Sequence, residues 1–179
     1  MGIQIYVVAA CHEQVDVNTS EAKDLYRSEV FKACKAYVEE QQKEWLILSD
    51  FHGLVWPTTK LSPYDPRLFS DEERISRIER ALEPDVIAYT LISTLGLQPD
   101  GRKPLAQWKQ DTLRNTEFIL LGKSESLSLA MTELSLAGIH VFCPFLGLKE
   151  QEVLERVQSI RKHKRGCGIT SSGFNEILN

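Results

Sequence analysis

A chain of 179 residues, 42% hydrophobic and 26% charged, is long enough to bury a substantial core and reads as one domain. A net charge of −4 with a pI near 5.6 argues against a protein that coats nucleic acid non-specifically, though it leaves room for a local basic groove. The four cysteines, Cys11, Cys34, Cys143 and Cys167, lie far apart with no CxxC, so neither a zinc ribbon nor a disulfide framework is signalled. The chain also lacks a signal peptide, a long apolar span and a lipidation motif, and the expectation is a cytoplasmic protein with no membrane partner.

In chain order, Ile3 to Ala10 is β-branched and apolar and predicts a central, buried strand, with Cys11-His12-Glu13-Gln14 at its carboxyl end. Ser28 reads as the N-cap of a helix running to about Lys43, with Phe31, Cys34, Tyr37, Val38 and Gln41 on one face. Trp45 to Leu48 predicts a second buried strand. It passes at Ser49-Asp50 into a loop stiffened by Pro57 and Pro63, in which Gly53 permits a sharp turn. Ser70-Asp71-Glu72-Glu73 has the pattern of a capping box opening a helix to about Leu82. Pro84 opens an apolar helix that Gly96 ends, and another helix follows Pro104. Phe118 to Gly122 is a third strand, Ser124 to Ala137 a helix closed by Gly138, and Ile139 to Cys143 a fourth strand ended by Pro144. A last helix spans about Lys149 to Lys164.

Alternating strands and helices define an α/β protein with a mainly parallel open sheet of about four strands flanked by helices. The expected single domain covers 1–165, with a helical insertion or lid at about 68–103 and an unassigned tail at 166–179. In such sheets ligands bind at the carboxyl ends of the strands, where Cys11, Ser49, Gly122 and Cys143 all fall.

The residues gathered there suggest chemistry. Cys11 beside His12 invites a thiolate-nucleophile reading, although a buried small hydrophobe is the plainer one. Neighbours on a strand point to opposite faces, so His52 is expected to be the better base, with Asp50 or Asp65 orienting it. Cys11, His12, His52 and Cys143 are metal-ligand types, but they lack the paired spacing of a metal site, and no cofactor is signalled. Tyr64-Asp65 can hydrogen-bond a base or sugar edge, and Tyr26 or Trp56 can stack on a planar ring; Tyr64 can instead fill a gap, and Asp65 can simply cap the next turn. The run Arg161-Lys162-His163-Lys164-Arg165 fits either phosphate contact or a solvated helix end. Walker A, GxGxxG, HExxH and GxSxG motifs are all missing from the sequence.

Several stretches together resemble the YaaA-like family, in its shorter phage and bacterial form. They are Ala22-Lys23-Asp24-Leu25-Tyr26-Arg27-Ser28-Glu29-Val30-Phe31, the turn Leu48-Ser49-Asp50-Phe51-His52-Gly53-Leu54 with Pro63-Tyr64-Asp65, and Pro144-Phe145-Leu146-Gly147-Leu148. A similar turn ending in Tyr-Asp occurs in the core domain of archaeosine synthase. The family's Cys-Ser-x-x-Lys is Cys11-His12-Glu13-Gln14-Val15 here, without the lysine, and its Lys-x-Tyr is Lys123-Ser124-Glu125.

The resemblance implies an association with nucleobases, nucleosides or DNA. The expected function is a base-modifying or base-processing enzyme with Cys11, His12, His52 and Asp65 in catalysis. Asp24, Tyr26, Ser28, Ser49, Gly53 and Tyr64 are then expected to bind substrate. The alternative is a non-catalytic DNA-binding or stress-protection module. A scaffold acting through the apolar 84–97 segment is a third reading.

Overall fold

The computed structural model describes residues 2–99 and 101–167. The chain begins with β1 (Ile3–Ala9), followed by β2 (Ser20–Glu21), α1 (Ala22–Leu25) and α2 (Glu29–Glu40). Then come β3 (Trp45–Ser49), β4 (Gly53–Val55), β5 (Lys60–Leu61), a 3-10 turn at Pro66–Leu68, α3 (Asp71–Ala81), α4 (Pro84–Leu95) and α5 (Leu105–Arg114). The last elements are β6 (Thr116–Leu121), α6 (Glu125–Leu136), β7 (His140–Phe142) and α7 (Glu150–Cys167).

Five strands form the main sheet in the order β4-β3-β1-β6-β7. The four strands expected from the sequence, β1, β3, β6 and β7, are parallel, and β4 adds an antiparallel edge. That fifth strand lies where a stiff loop was expected. The turn after Ser49 is tight enough for Gly53 to pair back with Ser49 and Val55 with Ile47 before Pro57 stops the ladder. A separate two-stranded ribbon joins β2 to β5.

The buried run of β1 explains why the sheet is covered on both sides. Tyr6 and Val8 face a core with Leu25, Phe31, Val38, Val153 and Val157 from α1, α2 and α7. Ile5 and Val7 face a second core with Ile78, Ile87, Leu91, Leu113 and Leu134 from α3 to α6. Alternate side chains point to opposite faces, so an unbroken apolar strand demands two helical layers. The 68–103 segment is part of the second layer rather than a lid, because Ile78, Leu82, Ile87, Ala88 and Leu91 are all buried against the sheet.

Local signals hold at the caps. The capping box at Ser70 and Glu73 is formed in both directions. Ser28 Oγ accepts the Phe31 N–H at 3.2 Å, and Ser124 Oγ accepts the Ser126 N–H at 3.1 Å. The helix ending the chain runs past its expected limit to Cys167, and the rest of the tail, 168–179, lies outside the described residues. No helix among the described residues is long and apolar enough to cross a membrane.

Candidate functional site

From β1 the chain crosses first to β3 on one side and later to β6 on the other, so the connections diverge at the carboxyl ends of β1 and β6. Such a switch point leaves a crevice, since neither connection covers the gap. Here it is a cavity of about 390 Å³, lined by Ala9 to Glu13, Ser28, Val30, Phe31, Asp50, Tyr64, Arg74, Lys123 to Glu125, and Glu150. That volume lies in the range of small-molecule sites. Gly122 lets the two strand ends approach: it sits at φ +112°, and a Cβ there would stand 3.2 Å from Cβ of Ala9.

Five of the residues singled out from the sequence line this crevice: Cys11, His12, Ser28, Asp50 and Tyr64. Cys11 Sγ accepts the Ser28 N–H at 3.4 Å and donates to the Glu13 carbonyl at 3.2 Å, which fixes the thiol beside the start of α2. Cys11 and His12 both border the crevice, although strand alternation would separate them. The reason is that β1 ends at Ala9, so the pleat no longer governs the next residues.

Asp50 is the centre of the polar network. Its Oδ1 accepts from Ser126 Oγ at the start of α6, while Oδ2 lies 3.9 Å from His12 Nε2 and 3.8 Å from Arg74 Nη1. Arg74 in turn pairs with Asp71. Asp50 thus faces His12 from the first strand end, and not His52 as expected.

His52 lies behind the crevice wall. Its ring is edge-on to Phe51 at 4.7 Å and to Tyr64 at 5.4 Å, and its Nε2 is buried without a hydrogen-bond partner among the described residues. Burial holds its pKa below the usual histidine value, with a bond to the Ser62 backbone opposing and the Arg77 charge adding to the shift. Tyr64 stacks on Phe51 at 4.6 Å, and Arg77 lies over the same Phe51 ring at 4.6 Å. This aromatic wall was not legible from single residues, because Phe51, Tyr64 and Phe69 are brought together by the turn at β4.

The remaining residues stand outside the cavity lining. Asp65 caps the 3-10 turn and is bound by Arg67, which holds its carboxyl at about 2. Asp24 pairs with Lys35 at 2.7 Å on the surface. Gly53 sits at φ +72° against α3. Ser49 is fully buried, and its Oγ accepts the N–H groups of Phe51 at 3.3 Å and His52 at 3.2 Å. Tyr26 is 3% exposed, and its ring packs on Phe31 at 5.3 Å, so it offers no face for stacking. Arg74 takes a place in the site that the sequence reading did not give it, and Asp50, expected beside His52, stands beside His12 instead. A carboxylate directly after a buried strand was the available signal for Asp50, whereas nothing local marks Arg74.

A second crevice of about 550 Å³ shares the Lys123–Glu125 wall and reaches Cys143 at the end of β7. Cys143 therefore lies apart from Cys11, and among the described residues no group of three or more His, Cys, Asp or Glu side chains is placed to hold a metal ion. At the other end of the molecule, Arg161 from the basic run is tied to Glu40 at 2.6 Å, joining α7 to α2.

The fold and crevice together define an open, doubly wound α/β protein with a ligand-sized cleft at its switch point. Residues 5–88 match the model of a family of unknown function, DUF6884. The match runs from within β1 into α4 and takes in Cys11, His12, Ser28, Asp50, Tyr64 and Arg74, while the Lys123–Glu125 wall lies beyond it. No curated protein and no solved structure matches the chain.

Proposed function

We propose that the crevice is a nucleobase or nucleoside site and that the protein is a base-processing enzyme. The observation that carries this reading is the convergence of a thiol, an imidazole, a carboxylate and an aromatic ring in one small cleft: Cys11, His12, Asp50 and Tyr64. Tyr64 supplies an aromatic border for a planar base. His12 is the group that can exchange protons with a ligand, and Asp50, held by Ser126, faces it at 3.9 Å. Cys11 is the candidate nucleophile, its sulfur fixed by the Ser28 N–H.

The charge lining favours a small ligand over a nucleic-acid backbone. Glu13, Asp50, Glu125 and Glu150 face His12, Arg74 and Lys123, and such a mixture does not make the continuous positive track that phosphates require. Kinship with the YaaA-like proteins, suggested by the motifs around Tyr26, Ser49 and Tyr64, is part of the same proposal and agrees with a base-related role.

The test is equilibrium binding of free bases, nucleosides and oligonucleotides at two salt concentrations, with Tyr64→Ala alongside. Binding of a base or nucleoside that is insensitive to salt and lost in Tyr64→Ala is the expected result. Binding of oligonucleotides alone, weakening steeply with salt, would overturn it in favour of a DNA-binding module.

A further inference from the structure

Behind the crevice lining, in the core cluster against which Cys11 and Tyr64 pack, lies an unclaimed hydrogen-bond donor. The Tyr26 hydroxyl is buried, and its proton meets no acceptor among the described residues. Its ring rests on Phe31, and its hydroxyl lies in the field of Cys11, Asp50 and Tyr64; all four of these residues line the crevice. The neighbouring hydroxyl of Ser49 cannot take its proton. A hydroxyl oxygen has two acceptor lone pairs, and in Ser49 the N–H groups of Phe51 and His52 occupy both. Ser49 is left as a donor toward the phenols, so the Tyr26 proton needs an acceptor from elsewhere. Burial pushes the Tyr26 phenol far above its ordinary pKa, against a smaller opposite effect of Ser49, so it remains a protonated donor.

We infer that Tyr26 is the specificity-determining residue of the crevice: its hydroxyl donates to a carbonyl oxygen on the ligand, so the site selects keto bases over amino bases. Asp50 provides the complementary half. Its Oδ2 has His12 and Arg74 only at 3.9 and 3.8 Å, beyond hydrogen-bond length, and retains capacity to accept a ring N–H. A donor just behind the lining and an acceptor on it match the –CO–NH– edge of a keto base, and they oppose the amino edge, which presents the reverse pattern. Cys11 and Tyr64 both border the crevice and pack against the cluster that holds Tyr26, so a ligand that meets the hydroxyl does so by displacing them. The inference rests on the crevice being a base site.

The experiment compares hypoxanthine, unsubstituted purine and adenine, and inosine with adenosine, on the full chain and on Tyr26→Phe by calorimetry. Wild type is expected to bind the keto member about tenfold or more tightly. Tyr26→Phe should lose that preference through weaker keto binding, with adenine unchanged and the melting temperature equal or higher. Base binding with no keto preference in wild type, or a preference that survives in Tyr26→Phe, would overturn the inference and leave the base site standing. No binding of any base or nucleoside would overturn both. Should the variant unfold, the wild-type ranking of hypoxanthine against purine and adenine decides alone.

Discussion

The side-chain amide of Gln14 grips both backbone polar groups of Tyr64: its Nε2 donates to the Tyr64 carbonyl at 3.1 Å, and its Oε1 accepts the Tyr64 N–H at 3.1 Å. The pair acts as a rung of β-ladder made by a side chain, tying the segment after β1 to the loop that carries the crevice's aromatic border. Gln14 also bridges to Tyr26 through its backbone, so one residue positions both tyrosines.

Replacing Gln14 by alanine removes both bonds and leaves the partly buried Tyr64 backbone unmet. The expected cost is about 1–3 kcal/mol of stability. Urea unfolding monitored by circular dichroism measures it, and ligand affinity should fall as the Tyr64 ring loses its fixed position. A variant as stable as wild type would mean that water replaces the amide at no cost.

Gly53 acts in packing rather than in ligand contact. Its φ of +72° is a left-handed conformation, and a Cβ there would lie 2.7 Å from Cβ of Ala81 in α3. Gly53→Ala is therefore expected to lose about 2–4 kcal/mol, from backbone strain together with overpacking. Gly53→Ala with Ala81→Gly should recover the packing part only. Denaturant midpoints of the single and double variants separate the two contributions.

His52 gives a pH dependence of definite sign. Its folded pKa is depressed by burial below the reference 6.5, so below that pH the unfolded chain binds a proton that the folded chain refuses. The stability linked to His52 is complete above pH 6.5, falls as the pH drops through the unfolded value toward the folded one, and then levels off. Urea unfolding between pH 7.5 and about 4.5 should show this decline in wild type and a shallower one in His52→Gln. Identical slopes would place the titrating group elsewhere.

Much of the fold was legible because its signals are local. The apolar runs of β1, β3 and β6, the Ser28 and Ser70 caps and the terminators Gly96 and Gly138 each act within a few residues, so periodicity and capping chemistry suffice to find them. The edge strand β4 escaped because its ladder depends on a tight turn whose closure is set by Ser49 accepting two backbone N–H groups, a geometry that a stretch rich in proline and aromatic residues conceals.

The site divides in the same way. That Cys11, His12, Ser49 and Asp50 would stand at strand ends followed from the sequence alone, because the length of an apolar run places its end. Which of them share a cleft was decided by tertiary structure. The order β3-β1-β6 puts the switch point beside Cys11 and His12, and α3 and α6 bring Arg74 and Ser126 onto Asp50. The packing of Tyr26 on Phe31 turns an expected stacking surface into a buried hydroxyl. These are contacts between residues far apart in the chain, and no local pattern encodes them, because their energy depends on how whole helices settle on the sheet.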